Sequence, residues 1–224
     1  MAAKKKDEET EEESSLSEAQ KHLKTLFKDK KDDHYNFEDT IYYKVPSSSM
    51  TMNAEMGGGM EPGAHRFIGA PAGGKTSAAL DYMKHFLGEK TKSGNDRRGI
   101  YFRCEGRLSP NMQARSGVTF VTKEEDWLPG TCMIVDSNIF EFVFDMIRTL
   151  IQFNKEKCKF FFILDSLDMM IKREDAKKPF EESGQVAGGA LLTSVFFKKV
   201  SIALTKRGHI AILMSQIRDS IKID

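Results

Sequence analysis

From residue 57 onward, short apolar runs alternate with longer stretches in which apolar positions recur every three or four residues. The short runs predict strands at 66–69, 99–104, 118–122, 132–136, 159–165 and 209–215. The periodic stretches predict helices at 75–88, 109–116, 138–154 and 187–206. Strands alternating with helices imply an α/β fold, a mostly parallel central sheet flanked by helices on both faces. The run from Lys159 to Asp165 is apolar without alternation, as in a strand buried on both sides. The helix at 138–154 follows Asp136 and Ser137, both good caps, and would bury Phe140, Phe144, Ile147, Leu150 and Ile151.

Upstream the pattern changes. Residues 1–15 are rich in Glu and Lys and read as a disordered charged tail, too polar to bury a core. Leu16, Ala19, Leu23, Leu26 and Phe27 form one stripe of a short helix that Ser17 or Ser15 could cap. Residues 16–36 therefore read as an N-terminal helix and linker. The stripe packs either on another copy of the chain, as an oligomerisation element, or back on its own core. The rest, 37–224, is the core, with a strand expected from Thr40 to Val45, ended by Pro46 and a serine run.

At 224 residues, one domain with appendages is the natural count. The net charge is +1, so any nucleic-acid surface must be local rather than a global basic field. Three widely spaced cysteines form no C-x-x-C pair, which suits reduced intracellular thiols packed as core fillers. Neither a signal-type apolar region nor a run approaching a membrane span is present, so a cytoplasmic protein without a membrane partner is expected.

One string changes the picture. Gly69, Ala70, Pro71, Ala72, Gly73, Gly74, Lys75 and Thr76 read G-x-x-x-x-G-K-T, between an expected strand and an expected helix. Glycines let successive amides wrap a phosphate while the helix N-terminus faces its charge. Lys75 would reach the terminal phosphates and Thr76 would hold Mg2+, so the expected ligand is a nucleoside triphosphate. Asp165 ends the apolar strand where a second magnesium-holding group belongs. Glu105, at the end of the 99–104 run, is a candidate general base for water, although glutamates at strand ends are common. Gln216 follows 209–215 to the same sheet edge, where its amide could sense a terminal phosphate.

Together these residues resemble the RecA family of strand-exchange recombinases. Met56 to Gly63 is similar to the family's glycine-rich lead-in, and Cys104 to Pro110 to the stretch with its catalytic glutamate. Leu164-Asp165-Ser166-Leu167 resembles its magnesium-binding strand end, and Ser215-Gln216-Ile217-Arg218 its switch glutamine and the opening of its second DNA loop. The segment from Phe37 to the glycines is closer to the UvsX-type recombinases of tailed phages. The resemblance spans about residues 40–218. It departs at Cys104 and Gly106, where bacterial members have Ala and His, and at the flexible Ala187-Gly188-Gly189-Ala190.

The resemblance implies a RecA-like P-loop ATPase core in which Gly69 to Ser77 bind ATP and Asp165 and Thr76 hold Mg2+. It implies that Glu105 activates water, with Lys75 and Gln216 completing the catalytic set. It places Lys172, Arg173, Lys177 and Lys178 in a first DNA loop within 171–187, Ser194 and Lys198 against the DNA backbone, and Arg218 in the second loop. The implied activity is DNA-dependent ATP hydrolysis by a helical filament on single-stranded DNA that pairs it with double-stranded DNA, in recombination and repair. The family continues past the second DNA loop, within which this sequence stops, so the resemblance implies either a partial chain of a longer protein or a truncated relative. Two rival readings are a hexameric helicase-type motor and a non-catalytic ATP-binding accessory subunit.

Overall fold

The core is built on six strands: β1 (Gly63–Gly69), β2 (Arg97–Arg103), β3 (Thr119–Val121), β4 (Thr131–Val135), β5 (Lys159–Asp165) and β6 (Ile210–Gln216). They form one sheet in the order β1-β6-β5-β2-β4-β3, and every neighbouring pair is parallel. The computed structural model describes residues 17–30, 35–36, 39–88, 96–106, 108–154, 158–179 and 188–217. Residues 1–39 and 40–224 separate as two compact units. In the first, α1 (Glu18–Asp29) starts with a capping box: the Ser17 hydroxyl accepts from the Gln20 amide while Gln20 Oε1 accepts from the Ser17 amide. None of its residues is buried.

In the second unit the helices are α2 (Met50–Glu55), α3 (Lys75–Gly88), α4 (Pro110–Ser116), α5 (Phe140–Gln152) and α6 (Gly188–Arg207). Parallel strands need crossovers, and each crossover here carries a helix or a short turn of helix. The central strands β2, β5 and β6 are buried on both sides, while the edge strands β1 and β3 are partly exposed. Phe160 to Leu164 of β5 are all in the core, which is why that run shows no alternation. α3 lies close to β2, and Gly99 makes the approach possible: a Cβ there would stand 2.6 Å from Met83 Sδ and 3.1 Å from Cys132 Sγ. No described helix is long and apolar enough to cross a membrane.

Three expectations fail locally. Residues 40–45 form no strand; Val45 alone bridges antiparallel to Met60, with mutual backbone bonds of 2.8 Å. Tyr43 instead anchors the segment by donating its hydroxyl to the Gly208 carbonyl at 2.8 Å. The serine run, read as a strand end, launches α2, with the Ser49 hydroxyl accepting from the Met52 amide. Neither Asp136 nor Ser137 caps α5, whose N-cap is Ile139 without a side-chain bond. Asp136 is drawn away by Arg103, which donates Nε and Nη2 to its two oxygens at 2.5 and 2.6 Å. α5 buries Phe140, Val143, Ile147 and Ile151, while Phe144 is half-buried and stacks on Phe196 at 4.1 Å.

His209, just before β6, is fully buried, and its Nδ1 accepts from the Phe160 amide at 3.1 Å. Nε2 has no hydrogen-bond partner among the described residues. Burial first, then the Lys159 and Arg207 charges, pushes the imidazole pKa down to about 3. A depressed histidine contributes its stability above the unfolded value of about 6.5 and loses it as pH falls towards 3. Urea unfolding should therefore show about 2 kcal/mol less stability at pH 5 than at pH 7.5 from this group. His209→Asn, which keeps an acceptor for the Phe160 amide, should flatten that difference; an unchanged pH slope would exclude His209 as its source.

Candidate active site

The chain passes from β1 through α3 to β2, skipping the two positions that β6 and β5 later fill. It leaves β2 towards β3 but leaves the neighbouring β5 towards β6, and such a divergence opens a crevice at the carboxyl ends of the strands, where parallel sheets bind ligands. Four strand ends meet there. Gly69 of β1 is level with Gln216 of β6, and Arg103 of β2 is level with Asp165 of β5. Leu164 pairs with Leu213, so one step on brings Asp165 level with Met214. Gln216, at the end of β6, and Glu105, in the turn that leaves β2, thus each stand two residues beyond the level of Asp165, on either side of it. That register lets them meet across the end of β5: Gln216 donates its side-chain N–H to Glu105 Oε1 at 3.0 Å. Ser166 donates its hydroxyl to the same oxygen at 2.5 Å, and the Asp165–Ser166 peptide is cis.

The loop from β1 into α3 has the backbone its glycines allow. Gly74 has φ +80°, and a Cβ on Gly73 would stand 3.0 Å from the Ala70 carbonyl oxygen. Lys75 folds back over the loop and donates Nζ to the Gly69 and Ala70 carbonyls at 2.9 and 2.8 Å. Thr76 donates its hydroxyl to Asp165 Oδ2 at 2.9 Å. A cleft of about 490 Å³ is lined by Pro71 to Ser77 together with Glu105, Asp165, Ser166 and Gln216, and walled by Leu108, Ser109 and Met112. Ala70 is exposed beside it and Gly69 is half-buried.

Tyr101 shapes the floor. It is fully buried, edge-on to Phe120, and donates its hydroxyl to Asp165 Oδ2 at 2.5 Å. The Asp165 carboxyl is held above its ordinary range, chiefly by burial, with the Glu105 charge adding to the rise. Bonds from Tyr101 and Thr76 and the Lys75 charge pull it down. Burial, then the charge of Asp165, raises the Tyr101 phenol well above its usual value, so it stays a proton donor. Cys104 is likewise pushed up to about 12 by burial and by the Asp165 and Glu105 charges, an inert thiol beside the site.

These groups fit a triphosphate with Mg2+. Among the described residues no group of three or more His, Cys, Asp and Glu is placed to hold a metal. Mg2+ would be held by the Thr76 hydroxyl and one carboxylate and would keep several waters, so it needs no such group. Asp165 Oδ2 already receives two hydroxyls, so its orientation is set in advance.

The residues expected on DNA lie on separate segments. After β5 come a 3-10 turn, Leu167–Met169, and a second, Asp175–Lys177. Lys172 is half-buried; Arg173, Lys177 and Lys178 are exposed, with Lys178 paired to Asp175 at 2.8 Å. Ser194 and Lys198 are exposed on α6. Arg218 and residues 180–187 lie outside the described residues, as do residues 1–16.

Two residues at the site, Tyr101 and Asp168, carried no motif, and Ser166 was expected only as part of the strand end, not as a donor to Glu105. Tyr101 had a signal, since a tyrosine in a strand buried on both faces needs a partner for its hydroxyl. Asp168 accepts from the Gln216 amide at 2.5 Å, a contact that only the fold creates. No protein-family model matches the chain, and no curated protein matches it.

Proposed function

We propose that the chain is an ATP-dependent recombinase with a RecA-like core, which assembles as a helical filament on single-stranded DNA and pairs it with duplex DNA in recombination and repair. The supporting observation is the meeting of Lys75, Thr76, Asp165, Glu105 and Gln216 in one cleft at the end of a parallel sheet. A bare nucleotide-binding module needs the first three; the carboxylate and amide bonded to each other across the cleft are what hydrolysis coupled to a second ligand requires.

In the mechanism, amides of the Gly69–Thr76 loop cradle the phosphates, and Lys75 exchanges the Gly69 and Ala70 carbonyls for phosphate oxygens. Thr76 and Asp165 would hold Mg2+, which would supply charge neutralisation on the phosphates. Gln216 leaves Glu105 to hydrogen-bond the terminal phosphate. Glu105, released on that side and still steadied by Ser166, accepts a proton from the attacking water. The shift of Gln216 is passed to the segment after β5 that carries Lys172 and Arg173, setting it for DNA, and loss of the terminal phosphate reverses that setting.

Basic contacts to a DNA backbone release counterions, so binding must be salt-sensitive. With ATP and Mg2+, affinity for oligo-dT is expected to fall roughly tenfold or more between about 50 and about 200 mM salt. A flat salt profile in a fluorescence-anisotropy titration would remove the DNA-binding part of this reading.

A further inference from the structure

Resting on that reading, we infer that Asp168 is a positioning residue. Its carboxylate holds the backbone amide of Gln216 and so ties the root of the basic segment after β5 to the exit of β6.

Gln216 is the last residue of β6, and β6 lies between β1 and β5. On the β1 side it is level with Gly69, whose carbonyl accepts from the Ile217 amide at 3.2 Å. On the β5 side the ladder ends earlier, at Leu164 and Leu213, because the chain turns away after Asp165. The Gln216 amide would be left without a strand partner there, and Asp168 Oδ2 takes it at 2.5 Å.

The acceptor stands on a fixed base. Asp168 is exposed, but it sits in the Leu167–Met169 turn between the buried Leu167 and Met170. That turn is closed by Met169 and Met170 amides donating to the Ser166 and Leu167 carbonyls. Ile171, next in line, is clasped by backbone bonds to Asn138 and Phe140. One short stretch therefore grips Gln216 at both ends: its amide through Asp168, its side chain through the Ser166-bound Glu105. A charge-assisted bond to the backbone fixes where the side chain starts from, and ties any backbone shift of Gln216 to the turn that feeds Lys172.

The test compares the full chain with Asp168→Asn, which keeps an oxygen acceptor without the charge, and Asp168→Ala, which removes both. In nucleotide-free protein the Gln216 amide proton should resonate at low field, stay there or shift slightly in Asp168→Asn, and move upfield in Asp168→Ala. The ratio of ATPase rates with and without oligo-dT should fall about fivefold or more in Asp168→Ala and be largely restored in Asp168→Asn. An amide resonance indifferent to Asp168→Ala overturns the contact whatever the enzyme does. Equal coupling losses in both variants would make the effect one of charge and overturn the positioning role. Should wild type show no DNA-stimulated turnover at all, the proposed function fails, while the amide resonance still decides whether Asp168 holds Gln216.

Discussion

Lys75→Ala is expected to weaken binding of ATP with Mg2+ by about ten- to a hundredfold and to remove measurable turnover. The ammonium is the one cation within the phosphate loop, and it lies against the loop's backbone, bonded to the Gly69 and Ala70 carbonyls. Alanine removes a charge-assisted bond to the phosphates in the ground state and the charge that stabilises the transition state. The fold should survive, because the amides of Gly73 and Ala78 remain bonded to the Ala70 and Gly74 carbonyls. Fluorescent-nucleotide titration and a thermal-shift series with ATP check both parts. Binding of wild-type strength in Lys75→Ala would mean that the loop does not hold phosphate.

Glu105→Gln is expected to separate binding from chemistry: nucleotide affinity within a factor of about three, hydrolysis slower by about 10²- to 10⁴-fold. An amide oxygen can still accept from Ser166 and from Gln216, so the local bonds survive, but a proton can no longer be taken from water. Phosphate-release rates with and without oligo-dT, beside a binding titration, read the two quantities apart. Equal turnover in wild type and variant would leave Glu105 a structural bridge between β2 and β6 and no more.

Much of the scaffold could be read from the chain because its elements obey single, strong periodicities. All six strands lie within three residues of the apolar runs that predicted them, and the α3 helix begins at the lysine of the phosphate loop. Failures fall where a local pattern competes with a distant partner. Tyr42, Tyr43 and Val45 look like a strand, but among the described residues no strand pairs with them; Tyr43 reaches the Gly208 carbonyl instead. Asp136 looks like a cap until Arg103, on the neighbouring strand, takes its carboxylate. At the site, motif positions were legible one by one, whereas their bonds were not. That Glu105 and Gln216 touch depends on the stagger of β2 and β6 against β5, which no stretch of sequence records. Tyr101 was hidden for the opposite reason, as an aromatic ring in an apolar run reads as packing.

The pairing of β1 with β6 dictates when this site can come into being. Among the described residues, the strand that opens the phosphate loop pairs with one strand alone, β6, the last of them, so its loop closes over most of the core's length. During synthesis, a nascent chain that already carries the complete G-x-x-x-x-G-K-T string still lacks the strand that anchors it. Nucleotide binding should thus emerge late and all at once, after residue 216 has left the ribosome, rather than growing with the chain.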